Sequence, residues 1–311
     1  MKKMFIAPIL SSILLMGCAS ANTISDVGET IEVTDALNHI VEVPYNPEHI
    51  GVFDYAQIDN LDALGLGDRI EVTASGEMPT YLEKYEEVEF AGTLHEVDLE
   101  ITLSMQPELA IVASRSSASF DALSEFIPTV DFSLTSHRTF ESIAANLNNL
   151  AQIFGKEEKA KQLLQDLETR KEELGEAAQA SEKTALMVMY NGGSLSAFGP
   201  NSRFGHVYDD FGFTPVDENI EVSKHGMEIS YEYIVRENPD IIFVLDRSSA
   251  IAETDLLKDT EKHFEANPLI QTTKAFQEDA IHYLTADVWY LSNGGVQAYN
   301  QMMTDVWSAL K

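Results

Sequence analysis

The chain has 311 residues, of which 44% are hydrophobic. This is enough for one large or two medium domains with a buried core, and it argues against a disordered polymer. Its 20 basic and 51 acidic residues give a formal net charge of −31 at pH 7. Such an acid excess argues strongly against a nucleic-acid-binding protein, which needs a basic surface, and against electrostatic adsorption to anionic lipid.

The amino terminus has the pattern of a secretory signal rather than of a transmembrane anchor. Lys2 and Lys3 precede an apolar stretch too short to span a bilayer, and LMGC at 15–18 resembles a bacterial lipobox. We therefore expect residues 1–17 to be removed and Cys18 to be acylated. This would give an exported lipoprotein, in the periplasm or at the cell surface, that is held to the membrane only by its lipid. The alternative is a chance cysteine near a conventional cleavage site.

The first half of the chain alternates predicted strands with predicted helices. In chain order we expect a hairpin at 30–44, a buried strand at 49–54, a helix at 56–70 that ends at Gly65 or Gly67, a strand at 72–75, a charged helix or loop at 81–92, a helix at 117–126 and a short strand at 129–133.

One pattern occurs twice in the chain. Residues 97–115 read VDLEITLSMQPELAIVASR, and residues 229–247 read ISYEYIVRENPDIIFVLDR. In each copy a helical pattern stops at a proline, and an apolar run typical of a buried parallel strand follows. Each copy ends in an arginine, Arg115 or Arg247. Because ligands of open α/β sheets bind at the carboxyl ends of the strands, both arginines are candidate ligand contacts.

A long helix is predicted between the two copies. Residues 156–180 are rich in strong helix formers and carry acid–base pairs at helical spacing. This favours a rigid spine between two similar halves; the alternative is an ordinary surface helix. In the second half we expect a hairpin at 184–199, a helix at 203–213, the second repeat, a further helix, a strand at 280–284 and a closing helix at 294–311 that begins with a glycine pair.

These elements predict an α/β protein with two lobes, at 30–155 and 181–311, joined by the helix at 156–180. A cleft between two lobes is a usual place for a small ligand. The sequence contains no nucleophile elbow, phosphate-binding loop, dinucleotide fingerprint or zinc-protease motif. It therefore indicates a binding protein rather than an enzyme.

Three arginines are expected to face the cleft. Arg115 and Arg247 end the repeated units, and Arg203 follows a Gly-Pro turn in AFGPNSRFG. Three converging guanidinium groups would form a local positive site for a multiply charged anion. The alternative is that each arginine pairs with one of the many carboxylates and has no further role.

His225 and Tyr290 are candidate ligands of ferric iron. His225 lies in a glycine-containing loop before the second repeat, and Tyr290 lies between the last strand and the last helix. Imidazole nitrogen and phenolate oxygen both coordinate this ion. Alternatively, the histidine is a hydrogen-bonded structural residue and the tyrosine packs in a core.

The lipobox Cys18, the two repeats, the proline-free spine and the segments FGPNSRFG, KHGMEIS and DVWYLSNGG together resemble the iron-siderophore-binding proteins of ABC importers. The resemblance covers about 30–311 and extends to the catecholate-binding lipoproteins that take ferric enterobactin, its hydrolysis products or petrobactin. It implies the class III periplasmic binding protein fold, with two Rossmann-like lobes, a helical spine and a shallow cleft. It also implies a monomer with no cofactor of its own, whose ligand is a Fe(III)-siderophore complex and whose partner is an ABC permease dimer.

The resemblance assigns roles to the candidate ligand contacts. Arg115, Arg203 and Arg247 match an arginine tripod beneath a trianionic ferric tris-catecholate. His225 and Tyr290 match residues that complete the iron coordination when a tetradentate bis-catecholate leaves two positions open.

The resemblance also implies a docking role for two acidic residues. Glu100 and Glu232 occupy equivalent positions in the two repeats and match the lobe-top glutamates that dock into arginine pockets of the permease dimer.

Three alternative functions remain open at this stage. A haem- or cobalamin-binding protein would have the same fold, but a corrinoid lacks the trianionic charge that three arginines complement. A metal-ion binder would need several histidines near the cleft, and of the eight only His225 is well placed. An α/β hydrolase or nitrogenase-like enzyme would show turnover.

Overall fold

The computed structural model describes residues 28–135, 138–223, 225–251 and 260–311. The predicted signal segment at 1–17 and the predicted acylation site Cys18 lie outside these ranges. The described chain begins with an antiparallel hairpin of β1 (Thr30–Thr34) and β2 (Ile40–Pro44), as the sequence predicts.

The first lobe is built on a five-stranded parallel sheet with the strand order β5-β4-β3-β6-β7. Every residue of β3 and β6 is buried, which is why these central strands read as continuous apolar runs. The strands are β3 (Ile50–Val52), β4 (Ile70–Ser75), β5 (Glu89–Thr93), β6 (Leu109–Val112) and β7 (Thr129–Asp131), and the helices are α1 (Tyr55–Leu64), α2 (Leu99–Ser104) and α3 (Phe120–Ser124).

Two long helices, α4 (Thr139–Phe154) and α5 (Glu157–Ala180), follow the first sheet. Of the 24 residues of α5, only Ala160, Leu167, Leu174 and Ala178 are buried. Their spacing places them along one side of the helix, so α5 rests on the core by a narrow stripe and exposes its charged faces.

The second lobe is a six-stranded sheet with the order β11-β9-β8-β12-β13, in which β10 also pairs with β8. Its strands are β8 (Thr184–Asn191), β9 (Ser194–Phe198), β10 (Thr214–Pro215), β11 (Met227–Ile229), β12 (Ile241–Asp246) and β13 (Ile281–Tyr283). Its helices are α6 (His206–Asp209), α7 (Tyr231–Glu237), α8 (Arg247–Ala250), α9 (Thr260–Glu265), α10 (Lys274–Gln277) and α11 (Ala286–Leu291). The last helix, α12 (Val296–Trp307), packs on both α1 and α5.

The repeated sequence forms the same unit in both lobes, namely α2–β6 and α7–β12. The side chains of Asp98 and Ser230 cap the two helices by accepting a backbone N–H from the first turn. Directly before each proline the chain turns through a positive φ, 53° at Gln106 and 44° at Asn238. The local chemistry of the repeat therefore ends each helix and begins the parallel strand at the same point.

Two predicted elements differ from the structure. Part of the segment at 81–92 belongs to strand β5, an edge strand whose Glu89 and Phe90 are exposed, so it lacks the apolar run that identifies inner strands. In the segment at 203–213 only α6 is helical, and the buried side chains of Phe204 and Phe211 lie on either side of it. Among the described residues, no helix is both long enough and apolar enough to cross a membrane.

Candidate ligand-binding cleft

A cleft of about 1030 Å³ lies between the two lobes. It opens where β6 and β12 end, so each repeated unit delivers its last residues to the cleft. Among the described residues, the titratable side chains that line it are Asp54, His95, Arg115, Arg203, His225, Arg247 and Tyr290.

The three predicted arginines, which we call the arginine cluster, converge on Tyr290. The Cζ atoms of Arg115, Arg203 and Arg247 lie 5.2, 4.7 and 5.3 Å from the centre of its ring. Arg115 Nη2 and Arg203 Nη2 donate to the Tyr290 carbonyl oxygen at 2.8 and 2.9 Å. Arg247 Nε donates to the Tyr290 hydroxyl at 2.8 Å. Cation–π contacts and hydrogen bonds to one neutral residue thus hold three cations together.

No member of the arginine cluster forms an ion pair with a carboxylate among the described residues. Arg247 Nη1 donates at 3.1 Å to another neutral acceptor, the Asn191 side chain. Burial, and next the charge of Arg115, lower the pKa of Arg203 to about 10, so this side chain remains a cation at neutral pH. The cluster therefore brings three positive charges to the cleft without a direct ion pair to any described carboxylate.

The environment of Tyr290 lowers the pKa of its hydroxyl group. Burial raises its pKa, but the hydrogen bond from Arg247 and the charges of the three arginines outweigh that effect, and the net pKa lies below its ordinary value. In contrast, burial raises the pKa of several other tyrosines, including Tyr81 and Tyr299.

Two histidines line the cleft from opposite lobes. His225, which the sequence singled out, is exposed in the loop that precedes β11. His95, which sequence reasoning missed, is exposed in the loop that follows β5. The position of His95 just after a strand could have identified it, but the sequence pattern of β5 predicts a charged helix or loop instead.

A buried carboxylate, also missed in the sequence, lies at the first-lobe side of the cleft. Asp54 lies two residues after the end of β3 and caps α1 by accepting the N–H groups of Ala56 and Gln57 at 3.0 and 3.3 Å. Burial raises the pKa of Asp54 to about 6, while the charge of Arg115 acts in the opposite direction. When ionised, Asp54 therefore reduces the positive electrostatic potential near Arg115.

The structure places the two predicted docking residues outside the cleft. Glu100 and Glu232 are exposed in the first turns of α2 and α7, so they occupy equivalent positions in the two lobes. Hydrogen bonds from its own backbone N–H and from Ser230 lower the pKa of Glu232, which keeps this carboxylate ionised. Within the described ranges, no group of three or more His, Cys, Asp or Glu side chains is arranged to hold a metal ion.

We expect Tyr290 to ionise at a lower pH than the ordinary tyrosines of the chain. An ultraviolet difference titration of the ligand-free protein should show a first phenolate that is absent in Tyr290→Phe. In Arg247→Ala this step should move to higher pH, because the hydrogen bond and a nearby positive charge are lost. An unchanged first step in Tyr290→Phe would contradict the assignment.

The sequence profile of the family described as Periplasmic binding protein matches residues 50–288. The petrobactin-binding protein YclQ of Bacillus subtilis (strain 168) is 33% identical over 315 residues, which cover 99% of this chain and 98% of YclQ. The crystal structure of YclQ superposes with a TM-score of 0.86 at 35% identity, over 91% of this chain and 99% of that one.

One further relative aligns along nearly the whole chain in sequence, and another superposes along nearly the whole chain in structure. The ferric-anguibactin-binding protein FatB of Vibrio anguillarum is 28% identical over 312 residues, 97% of this chain and 95% of FatB. The periplasmic catecholate-siderophore binding protein VctP of Vibrio cholerae superposes with a TM-score of 0.85 at 30% identity, over 90% of this chain and 100% of that one. These relatives are substrate-binding proteins of transport systems and not enzymes. The chain therefore belongs to the periplasmic binding protein family and has its class III α/β fold.

Proposed function

We propose that this protein is the substrate-binding lipoprotein of an ABC importer and that it captures a ferric catecholate siderophore in the cleft between its lobes. The observation that supports this most directly is the convergence of Arg115, Arg203 and Arg247 on Tyr290. A ferric tris-catecholate carries three negative charges, so a chain with a net charge of −31 needs a locally positive site to bind it.

Arginine suits this ligand better than lysine does. Its planar guanidinium spreads donors over neighbouring oxygens and stacks on aromatic rings such as catechol. Each guanidinium has five N–H donors, and the contacts described above use one in Arg115, one in Arg203 and two in Arg247. We propose that the donors not used in contacts with described residues bind catecholate and amide oxygens of the ligand.

The relatives support an iron-chelate ligand. YclQ is named for petrobactin, FatB for ferric anguibactin and VctP for catecholate siderophores. A haem or cobalamin ligand, the alternative of the same fold, is not favoured, since a corrinoid lacks the triple negative charge that the arginine cluster complements.

The function is tested by titrating the protein with ferric enterobactin, a tris-catecholate, and with a ferric tris-hydroxamate. Trp289, which is fully buried next to Tyr290, provides the fluorescence signal. We expect quenching with a submicromolar midpoint for the tris-catecholate and a much weaker response to the hydroxamate. Arg115→Ala, Arg203→Ala and Arg247→Ala should each weaken tris-catecholate binding by roughly 2–5 kcal/mol, or about one and a half to three and a half decades in affinity.

The matched control is Arg236→Ala, which removes an exposed arginine that pairs with Glu237 outside the cleft. It should bind like the wild type. Equal quenching by both chelates, together with unchanged affinity in the three cluster variants, would refute the proposed function.

We further propose that His225 and Tyr290 complete the iron coordination of tetradentate bis-catecholates. Both line the cleft, and the arginine cluster lowers the pKa of Tyr290, which makes loss of its proton easier. Imidazole and phenolate bind iron only after losing protons, so protons compete with the metal for both side chains.

A linear ferric bis-catecholate should therefore bind wild type more tightly than His225→Ala/Tyr290→Phe, and the difference should shrink as the pH falls. A hexadentate tris-catecholate, which leaves no iron position open, should distinguish the two proteins less. Equal losses for both chelates would indicate that the two side chains do not coordinate iron.

We propose that the protein delivers its ligand to a membrane permease through one exposed glutamate on each lobe. Glu100 and Glu232 would dock into arginine pockets of a symmetric permease dimer, and acylation of Cys18 would tether the monomeric protein outside the cytoplasm. The equivalent, exposed placement of the two glutamates supports such a two-point contact.

Glu100→Ala/Glu232→Ala should bind ferric tris-catecholate like the wild type but restore little iron uptake to cells that lack the native binding protein. Glu168→Ala/Glu172→Ala, which removes the same charge from exposed positions of α5, is the control and should restore uptake fully. Normal uptake by the Glu100/Glu232 variant would contradict the docking proposal.

A further inference from the structure

The position of Tyr290 depends on contacts that lie outside the cleft. Tyr290 is carried by α11, and only a short turn separates α11 from α12. The residue directly before α12 is Gly295, which occupies the capping position but has no side chain with which to cap the helix. The unpaired N–H groups of the first turn of α12 must therefore find acceptors elsewhere.

The first lobe supplies these acceptors from α1. Asp59 Oδ1 accepts the N–H of Gln297 at 2.9 Å, and Asp59 Oδ2 accepts the N–H of Ala298 at 2.8 Å. The neighbouring Asn60 accepts the N–H of Val296 at 3.0 Å and donates to the Gly294 carbonyl at 3.3 Å. Asp59 and Asn60 are both fully buried. A carboxylate at this end of a helix is also favoured by the helix dipole.

The glycine at position 295 is required by the approach of Asp59. A Cβ atom added there would lie only 2.2 Å from Asp59 Oδ2, although the φ of −88° is open to any residue. The glycine pair that opens the closing helix in the sequence thus makes room for a cap that comes from the other lobe.

Two more contacts tie the Tyr290 segment to the first lobe. Tyr81 donates its hydroxyl proton to Asp59 Oδ2 at 2.6 Å, and its oxygen lies 3.0 Å from Ser292 Oγ. The backbone N–H of Thr80 donates to Asp287 at 2.9 Å. First-lobe groups therefore hold the chain on both sides of Tyr290.

We propose that Asp59 is a positioning residue of the binding cleft, which caps α12 from the opposite lobe and thereby fixes Tyr290 where the three arginines converge. The proposal rests on the proposed function of the cleft, since it concerns the same ligand. Asp59 does not line the cleft, so its effect on binding passes through Tyr290.

A double-mutant cycle separates positioning from simple stabilisation. Wild type, Asp59→Asn, Tyr290→Ala and the double variant are titrated with ferric enterobactin at a temperature at which circular dichroism shows each to be folded. Asp59→Asn replaces one carboxylate oxygen with an NH₂ group, which faces hydrogen-bond donors and cannot accept from them. We expect this change to weaken binding roughly tenfold in the wild-type background. In the Tyr290→Ala background the same change should cost about threefold or less, because only the backbone carbonyl remains to be positioned.

The matched control is Asp210→Asn. Asp210 is likewise a shielded carboxylate that accepts a backbone N–H at a helix start, that of Phe140, and a tyrosine hydroxyl, that of Tyr299 in α12. It does not line the cleft, and none of its hydrogen bonds to described residues goes to the first turn of α12. Asp210→Asn should lower the melting temperature and leave the affinity unchanged. Tyr81→Phe, which removes only one hydroxyl, gives a milder variant that should weaken binding in the same direction if Asp59→Asn does not fold.

An equal loss from Asp59→Asn in both backgrounds would overturn the proposal, since the residue would then act independently of Tyr290. If wild type fails to bind the chelate, the proposed function fails, and hydrogen exchange of residues 286–293 decides the positioning role. Faster exchange there in Asp59→Asn than in Asp210→Asn supports it, and equal exchange refutes it.

Discussion

Three guanidinium groups of like charge lie around a single ring in this protein, and their mutual repulsion must be offset by something close at hand. Burial adds to the difficulty, as the lowered pKa of Arg203 shows. Tyr290 provides three separate acceptors for the cluster, namely its carbonyl oxygen, its hydroxyl and the face of its ring. The cluster is therefore held by acceptors of a single tyrosine, whereas direct ion pairs with aspartate or glutamate would neutralise the cations. The surrounding structure serves to keep that arrangement in place.

The duplicated α–β unit supplies two of the three cations. In each lobe a capped helix, a turn at positive φ before a proline and a buried strand bring the chain to the cleft at an arginine. The third cation, Arg203, comes from a loop between β9 and α6 that has no equivalent repeat in the sequence. The repeated unit therefore explains why one arginine reaches the cleft from each lobe, and an irregular loop supplies the third arginine.

The sequence predicts the inner parallel strands and the arginines that follow β6 and β12, because parallel strands and their ends are encoded locally. Arginines are scarce in this acidic chain, and their placement after strands or a Gly-Pro turn marks Arg115, Arg203 and Arg247. Local patterns do not reveal Asp54 or His95, since one resembles an ordinary helix cap and the other follows an edge strand without an apolar run. The sequence also does not predict that the three arginines surround Tyr290, because this depends on tertiary contacts between the α11 segment and the first lobe.

The cap on α12 joins residues 238 and 239 positions apart in the chain. During synthesis α1 is made early, whereas the backbone N–H groups that donate hydrogen bonds to Asp59 are made near the end. A fragment that stops before α12 would retain every arginine of the cleft and Tyr290 itself, yet it would lack the contact that orders them. Under the proposed function and the proposed role of Asp59, ligand binding is coupled to completion of the polypeptide, so prematurely terminated or carboxyl-terminally trimmed products would not compete with the intact protein for its ligand.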